Sequence, residues 1–323
     1  MIAQLDMRAV RASPGRALSR LVGYSLFEGR PATTRGQWFN PVVVGNLRLG
    51  ARLDTNRPVR SPVFIVGIGR SGTTLLGQLL ALHPDVGYLN EPKALWHQIH
   101  PDDDIIGSYS ARRGRLLLTD ADVDDATRVR AHRMYSWYLL CSRSQRVVDK
   151  YPELAYRESF VRAIFPDARI LAILRHPWDV VHSIATWNDN HADASSNWWG
   201  VNDLKWWTLW NEIVVDREEN RWLTELIDPV TANDHVRGCV EWFLGTSMAS
   251  VVDAHRLDYD DLLARPREVL RDVLAACSLS ASERVLSFGD QFVRPNRDHR
   301  SPPAGIPTEL VDRCDELYSR IRS

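Results

Sequence analysis

Val63-Phe64-Ile65-Val66-Gly67-Ile68-Gly69-Arg70-Ser71-Gly72-Thr73-Thr74 is a short apolar run that passes directly into a glycine-rich turn. The run has the length and unbroken apolar character of a buried parallel strand. The turn nearly fits the Walker A phosphate loop: Gly, four residues, Gly, then Lys and Ser/Thr. Gly72 is in register and Thr74 takes the Ser/Thr position, but Thr73 stands where the lysine belongs. Backbone N–H groups over Gly69–Thr74, at the start of a helix, still suit an anion. Without the lysine that reaches the β- and γ-phosphates, ATP and GTP are not the expected ligands. Arg70 supplies a cation from a different place in the loop. The turn predicts a site for a nucleotide anion that is not a triphosphate.

Outward from this loop, Leu75, Leu76, Leu79, Leu80 and Leu82 follow helical spacing and end at Pro84. Residues 145–149 read as a second strand, 155–165 as a helix and 169–174 as another strand. Pro177 then opens a helix to about Trp187, because proline is favoured in a first turn. Residues 203–226 and 232–253 read as helical, 256–259 as a returning strand, and helices are expected from Pro266 and over 308–321. Strands alternating with helices predict an α/β fold: a P-loop-like three-layer sandwich whose central parallel sheet is flanked by helices, with additional helical segments. Residues 1–60 carry many arginines and little apolar periodicity. They read as an N-terminal extension with one helix near residues 17–27, ahead of a single α/β domain over residues 61–323.

The 323 residues carry a formal net charge of -1, which argues against a nucleic-acid partner. Of 40 basic residues only Lys93, Lys150 and Lys205 are lysines; codon bias is the plain cause, although arginine also suits planar recognition of oxyanions. Four dispersed cysteines read as reduced thiols, no window approaches the ~18 apolar residues of a membrane span, and no secretory leader is evident. The expectation is a cytoplasmic protein with no integral membrane segment.

A second informative stretch is Arg175-His176-Pro177-Trp178-Asp179-Val180-Val181-His182-Ser183. A P-loop triphosphatase would place a magnesium-binding aspartate after one of its strands. Here residues 169–174 run into Arg175. Ser183 follows just over two helical turns later, on the same side, and an arginine fork beside a hydroxyl suits a dianionic phosphate. Read singly, the pair is equally a surface arginine and a packing serine.

Together the two stretches resemble the sulfotransferase family, whose donor is 3′-phosphoadenosine 5′-phosphosulfate (PAPS). Members carry a strand, a Ser-Gly-Thr-Thr loop and a helix for the 5′-phosphosulfate. A later strand, Arg-x-Pro and a serine eight residues on bind the 3′-phosphate. Tyr259-Asp260-Asp261-Leu262, with Pro266 beyond, looks like the family's segment near the adenine. The resemblance covers about residues 61–290 and is closer to the tyrosylprotein, carbohydrate and related bacterial branches. The Lys-Gly-x-x-Gly-Asp-Trp loop of the cytosolic small-molecule branch is missing; Arg294, Arg297 and Arg300 are candidates to replace it, or simply an exposed basic loop.

The resemblance implies sulfuryl transfer to a hydroxyl without a metal. Gly69, Arg70, Ser71, Gly72, Thr73, Thr74, Arg175, Ser183 and Tyr259 would hold the donor. Glu91, in Leu89-Asn90-Glu91-Pro92, matches the glutamate that serves as base in related branches; the alternative is a structural salt bridge. Lys150, in Asp149-Lys150-Tyr151-Pro152, resembles a Lys-x-Pro element whose ammonium approaches the sulfate; the alternative is a surface pair with Asp149. Most tryptophans read as core; Trp198-Trp199 ends a polar stretch that suits contact with an acceptor, with structural packing the favoured alternative for both rings. A sugar or glycolipid acceptor is favoured slightly, a phenol or tyrosyl peptide next. The competing readings are a kinase with a degenerate loop and a nucleotide-binding protein without catalysis.

Overall fold

Five parallel strands form the centre of the computed structural model, which describes residues 7–110, 113–191, 196–294 and 298–322. Three helices come first: α1 (Met7–Ala12), α2 (Pro14–Leu26) and α3 (Asn40–Arg52). Next are β1 (Val63–Val66), α4 (Thr73–Leu80), β2 (Val86–Asn90), α5 (Lys93–Ile99) and the long α6 (Asp125–Ser142). The chain continues through β3 (Arg146–Lys150), α7 (Glu158–Ile164), β4 (Arg169–Leu174) and α8 (Pro177–His191). A two-residue pair, β5 (Ser196–Asn197) and β6 (Gly200–Val201), precedes α9 (Leu204–Leu209), α10 (Trp222–Leu226) and α11 (Asp234–Val251). The last elements are β7 (His255–Asp258), α12 (Tyr259–Ala264), α13 (Pro266–Ala276), α14 (Glu283–Phe292) and α15 (Thr308–Arg322).

The sheet order is β2-β3-β1-β4-β7, with every pairing parallel. Alternation along β1 divides the core into layers. Phe64 and Val66 join the side chains of α5, α6 and α7 on one face, whereas Val63 and Ile65 join those of α4, α13 and α14 on the other. A further cluster unites α8, α9, α11 and α15, and it buries Trp199, Trp206 and Trp242 completely. The expected α/β architecture is therefore present. Among the described residues no helix is long and apolar enough to cross a membrane.

The structure differs from the sequence reading in several places, and α5, α6 and α14 were not expected at all. Among the described residues of the N-terminal segment, 7–60, there are three α-helices rather than one. α2 turns Ser19, Arg20 and Gly23 inward, and α3 only Val43, Leu47 and Gly50, so hydrophobic periodicity is faint. β2 was not expected, since Gly87 and Asn90 depress strand propensity. Packing overrides this: a Cβ on Gly87 would stand 2.9 Å from Tyr138 and from the Ser144 hydroxyl. Finally, the helix expected over residues 203–226 is broken by a π-turn at Trp210–Val215 and a 3-10 turn at Glu218–Asn220.

Candidate functional site

In an open parallel sheet, ligands gather beyond the carboxyl ends of strands where the chain switches direction of travel. Here that point is the end of β1, flanked by β3 on one side and β4 on the other. The loop after β1 cannot take its path with ordinary residues. Gly67 has φ +139°, and a Cβ there would lie 2.6 Å from the Ile173 carbonyl oxygen. Gly72 has φ +94° and is covered by the Tyr259 ring. Arg70 itself takes φ +73°, a conformation costly for a non-glycine residue and concentrated at functional sites. α4 then begins at Thr73, so its free first-turn amides open next to this loop.

Three segments meet there. Arg70 Nε donates to Ser183 Oγ at 2.9 Å, and Arg175 donates to the Arg70 carbonyl oxygen at 2.8 Å. The Arg175 guanidinium lies 4.6 Å from the centre of the Tyr259 ring, and its buried Nε has no hydrogen-bond partner. Sequence spacing joins Arg175 and Ser183, and the structure brings both to the loop, with Ser183 bonded to Arg70. A guanidinium with an orphaned N–H beside a second cation fits a phosphate.

Across β1, residue Ile65 pairs with Lys150, which pairs in turn with Asn90. This register sets Glu91, one residue past β2, beside Lys150. The Glu91 amide donates to the Lys150 carbonyl at 2.6 Å, and Lys150 Nζ donates to Glu91 Oε1 at 2.5 Å. Glu91 has φ +49°, another left-handed non-glycine residue. Lys93 Nζ stands 3.9 Å from Glu91 and 3.2 Å from Glu153. Burial pushes the Glu91 carboxyl up, but Lys150, Lys93, the direct hydrogen bond and more distant Lys205 outweigh it and hold the group at about 2. Asp149 does not pair with Lys150. Strand alternation turns it to the opposite face, where it accepts from Trp96 Nε1 at 3.1 Å and Tyr135 OH at 2.5 Å.

Gly69, Arg70, Gly72, Thr73, Thr74, Glu91, Lys93, Lys150, Glu153 and Arg175 line one cavity of about 500 Å³, a size suited to a nucleotide or cofactor-sized ligand, whereas Ser71, Ser183 and Tyr259 are not among its lining residues. Its wall carries eight cationic side chains (Arg20, Arg30, Arg35, Arg70, Lys93, Lys150, Arg175, Lys205) against four carboxylates, Glu28, Glu91, Glu153 and Glu241. All three lysines of the chain are among them. Lys205 Nζ lies 2.5 Å from Glu241 Oε1 and 4.8 Å from the centre of the Trp198 ring, and Trp198 Nε1 donates to Glu241 Oε2 at 2.8 Å. Trp198 packs so closely on Gly69 that a Cβ there would stand 2.6 Å from the indole. Trp199 is fully buried in the core instead.

Sequence reasoning missed Lys93, Lys205, Glu153 and Glu241, since none sits in a motif. The concentration of so few lysines was the available signal. Tyr24, Glu28, Arg30 and Arg35, from α2 and the following turn, complete the wall; the N-terminal extension was a candidate to help form a pocket, but no motif pointed to these residues. Of the C-terminal arginines, Arg294 donates to the carbonyls of Asp290 and Val293, while the Arg300 amide donates to Asp179; Arg297 lies outside the described residues. His176 stacks on His299 at 4.0 Å, and His299 Nδ1 stands 3.1 Å from Asp179 Oδ2. Among the described residues these three are the one cluster of potential metal ligands, and none of them lines the cavity.

The model of the sulfotransferase family matches residues 62–283. An uncharacterized protein of Aquifex aeolicus is 26% identical over 263 residues, covering 77% of this chain and 29% of that protein. The nodulation protein NoeE of Sinorhizobium fredii is 30% identical over 136 residues, covering 38% of this chain and 31% of NoeE. The matches thus span about 30% of the length of these curated relatives. Among solved structures, the sulfotransferase STF1 from Mycobacterium tuberculosis H37Rv superposes with a TM-score of 0.50 at 15% identity, over 98% of this chain and 93% of that one. STF9 from Mycobacterium avium gives 0.47 at 14% identity, over 98% and 91%. The structural likeness is one of fold, but the matched span contains the loop after β1, Glu91, Lys150, Arg175 and Tyr259, and the chain belongs to the sulfotransferase family.

Proposed function

We propose that this protein transfers a sulfuryl group from PAPS to the hydroxyl of a small molecule, a glycan or a glycolipid. The observation that carries the reading is the convergence of Arg70, Arg175, Lys150 and Glu91 on one cavity at the carboxyl ends of β1, β3 and β4. The donor supplies an activated sulfuryl group whose departure leaves a bisphosphorylated adenosine. The loop amides over Gly69–Thr74, together with Arg70, would hold the 5′-phosphosulfate. Arg175 and Ser183 would hold the 3′-phosphate, and Tyr259 would flank the adenine.

As the acceptor oxygen bonds to sulfur and the sulfur–oxygen bond to the leaving phosphate breaks, negative charge grows on that phosphate. Lys150 and Arg70 are the fixed cations that offset it. The acceptor's proton passes to Glu91. A carboxylate held at about 2 is a weak base, but the same lysines that depress it are the ones an anionic donor would engage. Each partial withdrawal of Lys150 from Glu91 raises the basicity of the carboxylate, so donor binding itself prepares the base. No metal is invoked in this reading.

A hydroxyl-rich acceptor is favoured by two atoms in the wall. Glu153 Oε2 and Tyr156 OH are buried without a hydrogen-bond partner, and both residues contribute to the cavity wall. An orphaned acceptor and an orphaned hydroxyl, in a cavity that the Trp198 ring also lines, suit sugar hydroxyls and a sugar face. Calorimetric titration with adenosine 3′,5′-bisphosphate in EDTA tests the donor site: saturable binding is expected, and none would reject it. Transfer of labelled sulfate to glycans, phenols and peptides then tests the reaction; a strict need for Mg²⁺ and ATP would mark a kinase instead.

A further inference from the structure

We infer that the N-terminal helical segment docks on an anionic lipid surface, with Trp38 and the outer stripe of α3 as the contact. Trp38 is 83% exposed, Val42 51% and Leu49 50%, each a high value for a large apolar side chain. Trp38 sits in a 3-10 turn, Gln37–Phe39, that runs directly into α3. Positions 38, 42, 45 and 49 recur at helical spacing, so these side chains and Gly45, which has nothing within 4 Å of its would-be Cβ, form one open stripe. The opposite stripe, Val43, Leu47 and Gly50, packs into the protein.

Charge selects the partner. Residues 1–60 hold ten arginines against Asp6, Glu28 and Asp54, a net +7, which leaves -8 for the other residues of a chain whose total is -1. Arg35, Arg48 and Arg52 flank the stripe, are exposed, and have no carboxylate partner among the described residues. An exposed tryptophan and aliphatic side chains bordered by cations with no carboxylate partner among the described residues (Arg48 Nε donates to Gln98 Oε1 at 3.3 Å) match the headgroup boundary of an anionic bilayer, where rings sit at the interface and arginines meet lipid phosphates. A second copy of the chain would set two +7 segments against each other.

The location has a consequence. Thr33, Thr34 and Arg35 line the cavity and lead straight into the turn that carries Trp38. Docking would bring the cavity rim close to the headgroup layer, which, on the transfer reading above, fits a hydroxyl acceptor borne by a lipid.

The test is flotation of the full-length protein with vesicles of phosphatidylcholine containing about 30 mol% phosphatidylglycerol, against vesicles of phosphatidylcholine alone. The expected result is binding to the anionic vesicles, loss at high salt, and a drop of roughly tenfold or more for Trp38→Ser with Leu49→Ser. Arg48→Ala with Arg52→Ala should weaken anionic binding without touching the apolar stripe. Melting temperatures and adenosine 3′,5′-bisphosphate binding should be those of the wild type in both variants, since neither pair lines the cavity. No flotation, equal binding to both vesicle types, undiminished binding by the variants, or a dimer that Trp38→Ser dissociates would each overturn the proposal. Flotation requires no turnover, so its failure is separable from failure of the transfer reading.

Discussion

Arg70 Nε and Ser183 Oγ are 2.9 Å apart, a hydrogen bond that ties the loop after β1 to the first turns of α8. Arg175 completes the triangle through the Arg70 carbonyl. Two guanidinium groups are thereby held as neighbours, and burial together with Arg175 lowers the Arg70 pKa. Like charges fixed this closely repel, and an anion between them relieves the strain. Adenosine 3′,5′-bisphosphate should therefore raise the melting temperature. At a hundredfold excess over Kd the stabilisation is about 2.7 kcal/mol. Scanning calorimetry at rising nucleotide concentrations measures it, and an unmoved transition would contradict a site here.

Removing Arg175 separates charge from architecture. Its side chain faces the cavity and packs on Tyr259, so Arg175→Ala should fold but bind the bisphosphate about 10- to 100-fold more weakly. Ser183→Ala deletes the tether on Arg70 and one hydroxyl offered to the 3′-phosphate, and should cost less, about 1 kcal/mol. Titration of 5′-AMP alongside the bisphosphate distinguishes the roles: Arg175→Ala should spare 5′-AMP if it serves the 3′-phosphate. Equal losses for both nucleotides would assign Arg175 to the 5′ side.

Glu91→Gln gives opposite signs for binding and turnover. The neutral amide no longer neutralises Lys150 and Lys93, so the nucleotide should bind as tightly as to wild type or tighter. Sulfuryl transfer should fall by roughly 10²- to 10⁴-fold as the proton acceptor is lost. In the free enzyme Glu91 stays ionised down to about pH 2, so kcat/KM should show no acid limb from it near neutrality. Pre-steady-state transfer and calorimetry together check this. Near wild-type turnover would leave Glu91 as a positioning residue for Lys150.

Much of this was legible because the chemistry follows short patterns. The run Val63–Val66 into Gly67, the break at Pro177 and the spacing of Arg175 from Ser183 are local signals. They located β1, β4, α8 and the loop. The wall opposite Arg70 was illegible for the reverse reason. Lys93, Glu153, Lys205 and Glu241 come from four separate elements and meet only through tertiary packing. β2 was hidden because Gly87 serves contact with Tyr138 rather than strand propensity. α2 was half hidden because its inward face carries Arg20, neutralised by Glu28, where a periodicity argument looks for aliphatic residues.

Asp149 predicts an unusual pH profile of stability. Burial raises its carboxyl to about 7, against the pull of hydrogen bonds from Tyr135 and Trp96. A carboxyl raised in the fold binds its proton more tightly folded than unfolded. Its contribution is present at low pH and is lost as pH climbs from the unfolded value of 3.8 to about 7. The loss is of the order of 3–4 kcal/mol over that window. Asp149→Asn keeps an oxygen for Tyr135 and Trp96 and should flatten the profile, becoming the more stable form above neutrality. Urea denaturation of both proteins across the window measures the slopes. Parallel curves would show that Asp149 ionises normally.

Lys205 and Glu241 make the sharpest test of the buried charges. Both side chains are nearly fully buried, and Glu241 also fixes Trp198 against the loop. Lys205→Met should strand the carboxylate and destabilise the fold by about 3–5 kcal/mol. Lys205→Met with Glu241→Leu removes both charges and should recover most of that loss, because a well-packed apolar pair often matches a buried ion pair. Stability and transfer should then part company. The double variant frees the Trp198 indole N–H and withdraws two polar groups from the cavity, so it should refold well yet turn over acceptor poorly. The urea midpoint reads the first effect, and acceptor KM at saturating donor reads the second. Recovery of both would reduce the pair to scaffold, whereas recovery of stability alone would place Lys205 and Glu241 in acceptor recognition.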